Sequence, residues 1–470
     1  MVTAELQRIF AAQQANRWRI AHTTAKERSA KLERLAAAVE DQREAIAAAA
    51  YADFRKPPAE LEFTELHAVL AEIRHTRRHL RRWMRPTRVR TPLLLLGTAS
   101  EVRHEPRGVV LILAPWNYAF SLAIVPLVAA IAAGNCAVLK PSEKTPHTSA
   151  LLKRFIGGLF DESEVAVVEG GADVAEGLLE LPFDHVFYTG GTHIGRKVMA
   201  AAARHLASVT LELGGKSPTF VDATADLRAA AERIVWSKYV NAGQTCLAPD
   251  YVLVHASRSA EFIAEAKRAV GALYGATDED RARTPDYCRI VDAAAFARLR
   301  DVLERTVAGG AVIEVGGQTD AADRYVAPTI LSGVGFDAPI MEEEIFGPIL
   351  PVLPYTDLDD AVARTRALGK PLGVYVFSRR RDVVERVIAS TTAGGTAVNI
   401  TLLHYANPYL PFGGVGASGL GSYHGVHGFR ALSHQRAVLR QREPTLLHLL
   451  FPPYRGRLHA LAMRMLRILE

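Results

Sequence analysis

Cysteine is scarce in this chain of 470 residues: there are three, Cys136, Cys246 and Cys288, with no Cys-x-x-Cys pair. An odd count without paired spacing points away from a disulfide framework and from a metal site, and it suits a reducing compartment. Charge of one sign is scarce too. Lys and Arg total 56 against 50 Asp and Glu, so the net charge of +6 is thinly spread and leaves no general nucleic-acid footprint. The local exception, RHTRRHLRRWMRPTRVR at 74–90, sets Arg74, Arg78 and Arg82, with Arg81 and Arg85, on a helical face that reads as solvated surface. Long apolar runs are missing. The best window, SLAIVPLVAAIAAGNCAV at 121–138, is broken by Pro126 and Asn135, and a span needs about 20 predominantly apolar residues. It reads as a buried helix running into a strand. With no charged-then-apolar leader at the start, a cytoplasmic protein is expected.

What is present is ordinary globular material, 49% hydrophobic and 23% charged, enough for two or three domains. Residues 5–84 carry apolar positions at three- and four-residue steps, the pattern of consecutive helices. From about residue 108 short β-branched and aromatic runs (GVVLILAP, CAVLKP, VAVVEGG, HVFYTG) alternate with helical patterns over 120–133, 146–158 and 172–180. That alternation predicts an α/β fold with a parallel sheet of the dinucleotide-binding, Rossmann-like type. After LELGGKSPTFV comes a second α/β set, from a helix over 226–240 to a strand over 396–400. RTPLLLLGTASEVRHEP at 90–106 reads as a protruding hairpin turning at Gly97-Thr98, with a partner in the segment 399–440. The last segment, GRLHALAMRMLRILE, sets Leu458, Leu461, Met465 and Leu469 on one face of a short amphipathic helix. Docking on the protein itself is favoured over peripheral contact with a membrane, because so short a helix is marginal unless packed.

Five constellations carry chemistry. NAGQTC at 241–246 puts Cys246 on a loop behind a helical pattern, where Gly243 permits close backbone approach. A lone cysteine is most often a small buried hydrophobe, but a loop thiol can react. In VTLELGG, Glu212 has no basic neighbour along its strand. Buried, its pKa would rise toward that of a general base; on an edge strand facing water, it would do nothing of the kind, and periodicity leaves both open. PWN at 115–117 follows a strand end, where α/β sheets bind ligands and where the Asn117 amide could hold an oxyanion. In FYTGGTHIG a strand delivers Gly190, Gly191 and Thr192 to a helix start suited to phosphate, though the spacing is not GxGxxG. LKPSE places Lys140 and Glu143 after another strand end, positioned for ribose or phosphate.

Together these phrases resemble the aldehyde dehydrogenase superfamily over nearly the whole chain: PWNY, AAGN with LKPSE, FYTGGTHIGRKVMAAAARHL, VTLELGGKSP, NAGQTCLAPDY, EEEIFGPIL and LPFGGVGASGLGSYHG. FYTG, QTCLAPDY and SYHG followed by SHQR are similar to its class 3 branch, which includes fatty and aromatic aldehyde dehydrogenases. The resemblance implies that Cys246 is the nucleophile, Glu212 the general base and Asn117 the oxyanion donor. It implies a cofactor site of Trp116, Lys140, Glu143, Gly190, Gly191, Thr192, His193, Ile194, Gly195, Leu213, Glu344 and Phe346, with NAD as cofactor and NADP open. Gly191 departs from the polar residue common after the first turn glycine, and Ala119 and Ser121 depart from the branch after PWNY.

The implied fold is a dinucleotide-binding domain (1–89 and 107–209), a catalytic domain (210–398), an oligomerisation arm (90–106 and 399–440) and a tail (441–470). The implied activity is oxidation of an aliphatic or aromatic aldehyde to the acid through a cysteine thiohemiacetal and thioester, in a homodimer without nucleic acid. Two rival expectations remain: an acylating enzyme that passes the thioester to coenzyme A, against which Glu212 speaks, and a non-catalytic binding scaffold of the same fold.

Overall fold

Helices build the first part of the chain because Ala, Leu, Glu and Arg dominate it. The structure, a computed structural model, describes residues 3–92, 95, 97–442, 451–457, 459–460 and 463–464. Helices Ala4–Ala21, Ala25–Asp41, Arg43–Phe54, Pro58–Leu61 and His67–Trp83 succeed one another. Thr24 starts the second with a capping box closed by Glu27, and Leu32, Leu35 and Val39 recur on its buried face at helical spacing. Between Pro58–Leu61 and His67–Trp83 the chain widens into a π turn, Glu62–Leu66. Such turns often occur at functional sites. On His67–Trp83 the side chains of Arg74, Arg78, Arg81 and Arg82 point to solvent, the solvated face that the sequence suggested.

Buried Arg28 ties this layer to helix Ser121–Ala133, donating to the carbonyls of Ala21 and Ala132 near two helix C-termini. Helix Ser121–Ala133 and strand Cys136–Lys140 are almost wholly buried. They form the helix-into-strand unit expected of the apolar window.

A six-stranded sheet comes next, in the order Gly419–Leu420, Ser208–Glu212, His185–Thr189, Val109–Leu113, Cys136–Lys140, Val165–Val167. All neighbours are parallel except the first pair. The chain enters at Val109–Leu113, runs outward to one side and then returns to fill the other. That reversal opens a crevice at the carboxyl ends of the strands. Strand Ser208–Glu212 crosses the 209/210 division expected from the sequence: it pairs along its length with His185–Thr189, so Glu212 belongs to the first sheet.

The second sheet has seven strands, in the order Val312–Val315, Thr329–Ser332, Ile349–Tyr355, Tyr251–His255, Pro218–Val221, Gly373–Phe377, Gly395–Val398. Its central strands are buried along nearly their whole length, as parallel strands covered on both faces must be.

The third sheet corrects the hairpin. Thr98–Pro106 pairs with Thr87–Val89, and the register Val89↔Ser100 makes the connection wider than a Gly97-Thr98 turn; Leu93, Leu94 and Leu96 lie outside the described residues. The long partner of Thr98–Pro106 is Ser433–Gln441, paired from Ser433↔Pro106 to Gln441↔Thr98. The rest of 399–432 leaves the arm, and Gly419–Leu420 joins the first sheet. Leu458, Leu461, Met465 and Leu469, the proposed face of the tail helix, lie outside the described residues. Among the described residues no helix is long and apolar enough to cross a membrane.

Candidate active site

Four strand ends of the first sheet deliver the residues singled out in the sequence. PWN comes after Val109–Leu113, Lys140 closes Cys136–Lys140, Gly190 comes after His185–Thr189, and Glu212 closes Ser208–Glu212. Parallel strands end on one edge, which is why residues so far apart in sequence meet there.

Cys246 comes from the other side, on the loop between helix Leu227–Tyr239 and strand Tyr251–His255 of the second sheet. Its turn is tight. Asn241 and Ala242 take left-handed φ values of 56° and 49°, and a Cβ on Gly243, at φ +73°, would lie 2.3 Å from the carbonyl oxygen of Gly347. Such backbone persists only where its surroundings hold it. They do so here through a knot of side-chain amides. Asn117 Nδ2 donates to Gln244 O at 3.0 Å, and Asn241 Nδ2 donates to Asn117 O at 2.9 Å and to Gln244 O at 3.1 Å. Gln244 Nε2 in turn reaches Asn241 O and Arg289 O. One N–H of Asn117 is thus spent on fixing the loop, and the second makes no bond among the described residues.

The thiol is partly exposed on the wall of a cavity of about 170 Å³ lined mainly by apolar groups, among them Phe63, Leu122, Trp236, Leu403, Tyr405 and Phe412. Burial pushes the Cys246 thiol up to about 12, and the carboxyls of Glu344 and Glu212 push the same way. Its own N–H and that of Leu247 point at the sulfur and oppose the shift. Burial thus shifts the balance further toward the thiol than at a solvated loop position. Cys136 and Cys288 are buried in cores, with pKa values likewise raised by burial.

Glu212 settles the choice left open by its strand. It is 3% exposed, neither carboxyl oxygen has a hydrogen-bond partner among the described residues, and burial alone raises its pKa well above 4.5. Gly419–Leu420 pairs along the outer side of its strand, so this strand is not the edge of the sheet.

The residues expected to hold a dinucleotide line the same edge. Helix Thr192–Arg204 starts at Gly191 with no side-chain cap, and a Cβ on Gly191 would meet nothing within 4 Å. Its first N–H groups, from Thr192, His193 and Ile194, are left without a side-chain cap and are suited to an anion. Gly190 lies under the Tyr188 hydroxyl and Gly195 against the Leu213 side chain, both too close for a Cβ. Lys140 and Glu143 pair at 3.1 Å. Trp116 and Phe346 meet edge to face, 5.4 Å between centroids, with Phe346 at φ +46°. The Glu344 carboxyl lies over Gly214, where a Cβ would stand 2.0 Å from its Oε2, and burial followed by the charge of Asp250 raises it to about 8.

Sequence reasoning missed the groups behind these. Lys216 pairs with Asp250 and donates to Ile340 O and Glu343 O, while Asp250 accepts the N–H of Ile345. Together they pin the loop that carries Glu344. The Tyr118 hydroxyl meets Thr245 Oγ1 at 2.6 Å, next to the thiol. The only sequence signals were a lysine straight after Gly-Gly and a tyrosine straight after PWN.

Comparison with known proteins agrees with this geometry. The model of the Aldehyde dehydrogenase family matches residues 3–438. The chain is 44% identical over 432 residues to 4,4'-diaponeurosporen-aldehyde dehydrogenase of Staphylococcus aureus, covering 92% of each. It is 42% identical over 433 residues to aldehyde dehydrogenase family 3 member B1 of Rattus norvegicus, covering 92% of this chain and 91% of that one. Among solved structures, the substrate-bound state of Staphylococcus aureus AldH superposes with a TM-score of 0.93 at 40% identity, over 98% of this chain and 99% of that one.

Proposed function

The chain belongs to the aldehyde dehydrogenase family and oxidises aldehydes with NAD(P), and we propose that it does so through Cys246, Glu212 and Asn117, on apolar aldehydes of medium or long chain or with an aromatic group. The observation that carries this reading is a partly exposed thiol at an apolar cavity wall, with a buried carboxyl and one Asn117 N–H that have no hydrogen-bond partner among the described residues.

Cys246, once its thiol proton has passed to solvent, attacks the aldehyde carbon. The carbonyl pair of electrons moves to oxygen, and that oxyanion is met by the free Asn117 N–H and a backbone N–H of the same loop. Bound along the strand ends, NAD(P) supplies the hydride acceptor. Thr192 to Ile194 would hold its phosphates, Lys140 and Glu143 the adenosine ribose, and Glu344 and Phe346 the nicotinamide ribose and ring. Oxidation of the adduct leaves a thioester on Cys246. Glu212, in its ionised form, takes a proton from water as the water oxygen adds to the thioester carbon; the C–S bond breaks and the acid leaves. The apolar walls keep other water away from the thioester until then.

Glu143 at the ribose disfavours a 2′-phosphate, so NAD is the preferred cofactor. A panel of linear aldehydes from two to ten carbons with NAD and NADP tests both points. Each buried methylene is worth about 0.8 kcal/mol, so kcat/KM is expected to climb about fourfold per carbon until the cavity fills. A flat profile, or oxidation that requires coenzyme A, would end this reading of substrate and acceptor. The free edge of Ser433–Gln441, unpaired on its outer side among the described residues, supports a homodimer joined along that strand. Sedimentation velocity at micromolar concentration should return twice the chain mass, and a monomer would rule the dimer out.

A further inference from the structure

A buried ionic cluster lies behind the nucleophile loop, and the catalytic steps make no use of it. Lys56, Glu60 and Glu65 are 0, 8 and 2% exposed. Lys56 Nζ donates to Glu65 Oε1 at 2.7 Å, and the other oxygen of Glu65 accepts the N–H groups of Phe120 and Ser121, each at 3.0 Å. Lys56 also stands 4.0 Å from the centroid of the Tyr118 ring. Lys56 and Glu65 therefore satisfy each other. Glu60 is the second carboxyl of a cluster with one cation, and its Oε1 accepts the N–H of Asn241 at 2.8 Å.

That N–H belongs to the left-handed turn from which the loop to Cys246 departs, and the side chain of the same Asn241 orients Asn117 through its carbonyl. A turn of this kind relaxes if its support is removed. We propose that Glu60 is a positioning residue for the nucleophile: its bond to Asn241 holds the turn, and through the turn the placement of Cys246 relative to Asn117. This rests on Cys246 being the nucleophile.

Burial, opposed by Lys56 and by the Asn241 N–H, raises Glu60 to about 7. The groups facing it are Lys56 and Glu65 from its own segment, Tyr118 after the first strand of the sheet, Tyr274 and Cys288; the tyrosines and the thiol are pushed upward, away from neutrality. Between pH 6 and 8 Glu60 thus turns from a neutral acceptor into a charged one, and a charge-assisted bond is about twice as strong. The fold responds the other way. A carboxyl whose pKa is raised contributes stability that is complete below its ordinary value of 4.5 and is lost as pH rises through about 7. A positioning role and a merely structural one therefore predict opposite pH trends.

The test is alkylation of Cys246 by iodoacetamide in the full chain, without dinucleotide or aldehyde and read by mass spectrometry, alongside kcat and KM. Glu60→Ala is expected to slow alkylation and kcat about tenfold or more with the aldehyde KM within about twofold. Glu60→Gln keeps an acceptor oxygen and should restore both to within about threefold at pH 6, while the ratio of wild-type to Glu60→Gln alkylation rates, in which the titration of Cys246 cancels, should rise about fivefold from pH 6 to pH 8. Alkylation of Glu60→Ala at the wild-type rate overturns the proposal; should that variant fail to fold, a ratio that stays flat across the same range does so. Turnover that survives Cys246→Ala would strike the assignment of the nucleophile instead, and the two failures are told apart.

Discussion

Cys246→Ala is expected to abolish NADH formation with every aldehyde, by about 10⁴-fold or more, and to leave NAD binding within about threefold. The loss is this large because no second thiol lines the cavity among the described residues. Cys136 and Cys288 are sealed in cores, and the hydroxyls beside the loop, Tyr118 and Thr245, are occupied with each other. Stopped-flow absorbance at 340 nm is the measurement, together with NAD titration by tryptophan fluorescence. Residual turnover above about 1% of wild type, a loss of only about 2.7 kcal/mol in barrier terms, would mean that the covalent route is not the main one.

Glu212→Gln should separate the two halves of the reaction. The thiol still attacks and the adduct is still oxidised, so one equivalent of NADH forms per active site in a burst. Steady turnover then falls about 10²- to 10³-fold, because no group is left to take the proton from water. The wild-type pH profile carries the same signature. Burial holds the Glu212 carboxyl protonated far above 4.5, so hydrolysis of the thioester should accelerate as pH rises through that raised value, and Glu212→Gln should lack this limb. Stability runs in the opposite sense: the contribution of a raised carboxyl is complete below its unfolded pKa and is lost as pH climbs through the folded one. A variant without a burst, or one that turns over at the wild-type rate, would remove Glu212 from the role of base.

Local signals made part of this site legible and long-range pairing hid the rest. Strand ends, a glycine-rich helix start and a loop thiol each leave a mark within a few residues, and the family phrases attached roles to them. Whether Glu212 faced solvent was not readable, because its neighbour on the outer edge, Gly419–Leu420, arrives some two hundred residues later. Glu60 gave no signal at all. Within PAELEFTEL it looks like any charge on an amphipathic helix, and the backbone N–H it serves is 181 residues away. Gly97-Thr98 between two extended runs suggested a hairpin that turns there, whereas cross-strand register pairs Thr98–Pro106 with Thr87–Val89.

The reacting groups are divided between two scaffolds: the carboxyl and the amide stand on one sheet, and the sulfur on a loop of the other. A drift of about an ångström between these halves under heat or denaturant is expected to cost activity while each half is still intact. Inactivation is therefore expected to report the opening of a seam, with activity lost at a lower temperature than the far-UV circular dichroism of either side.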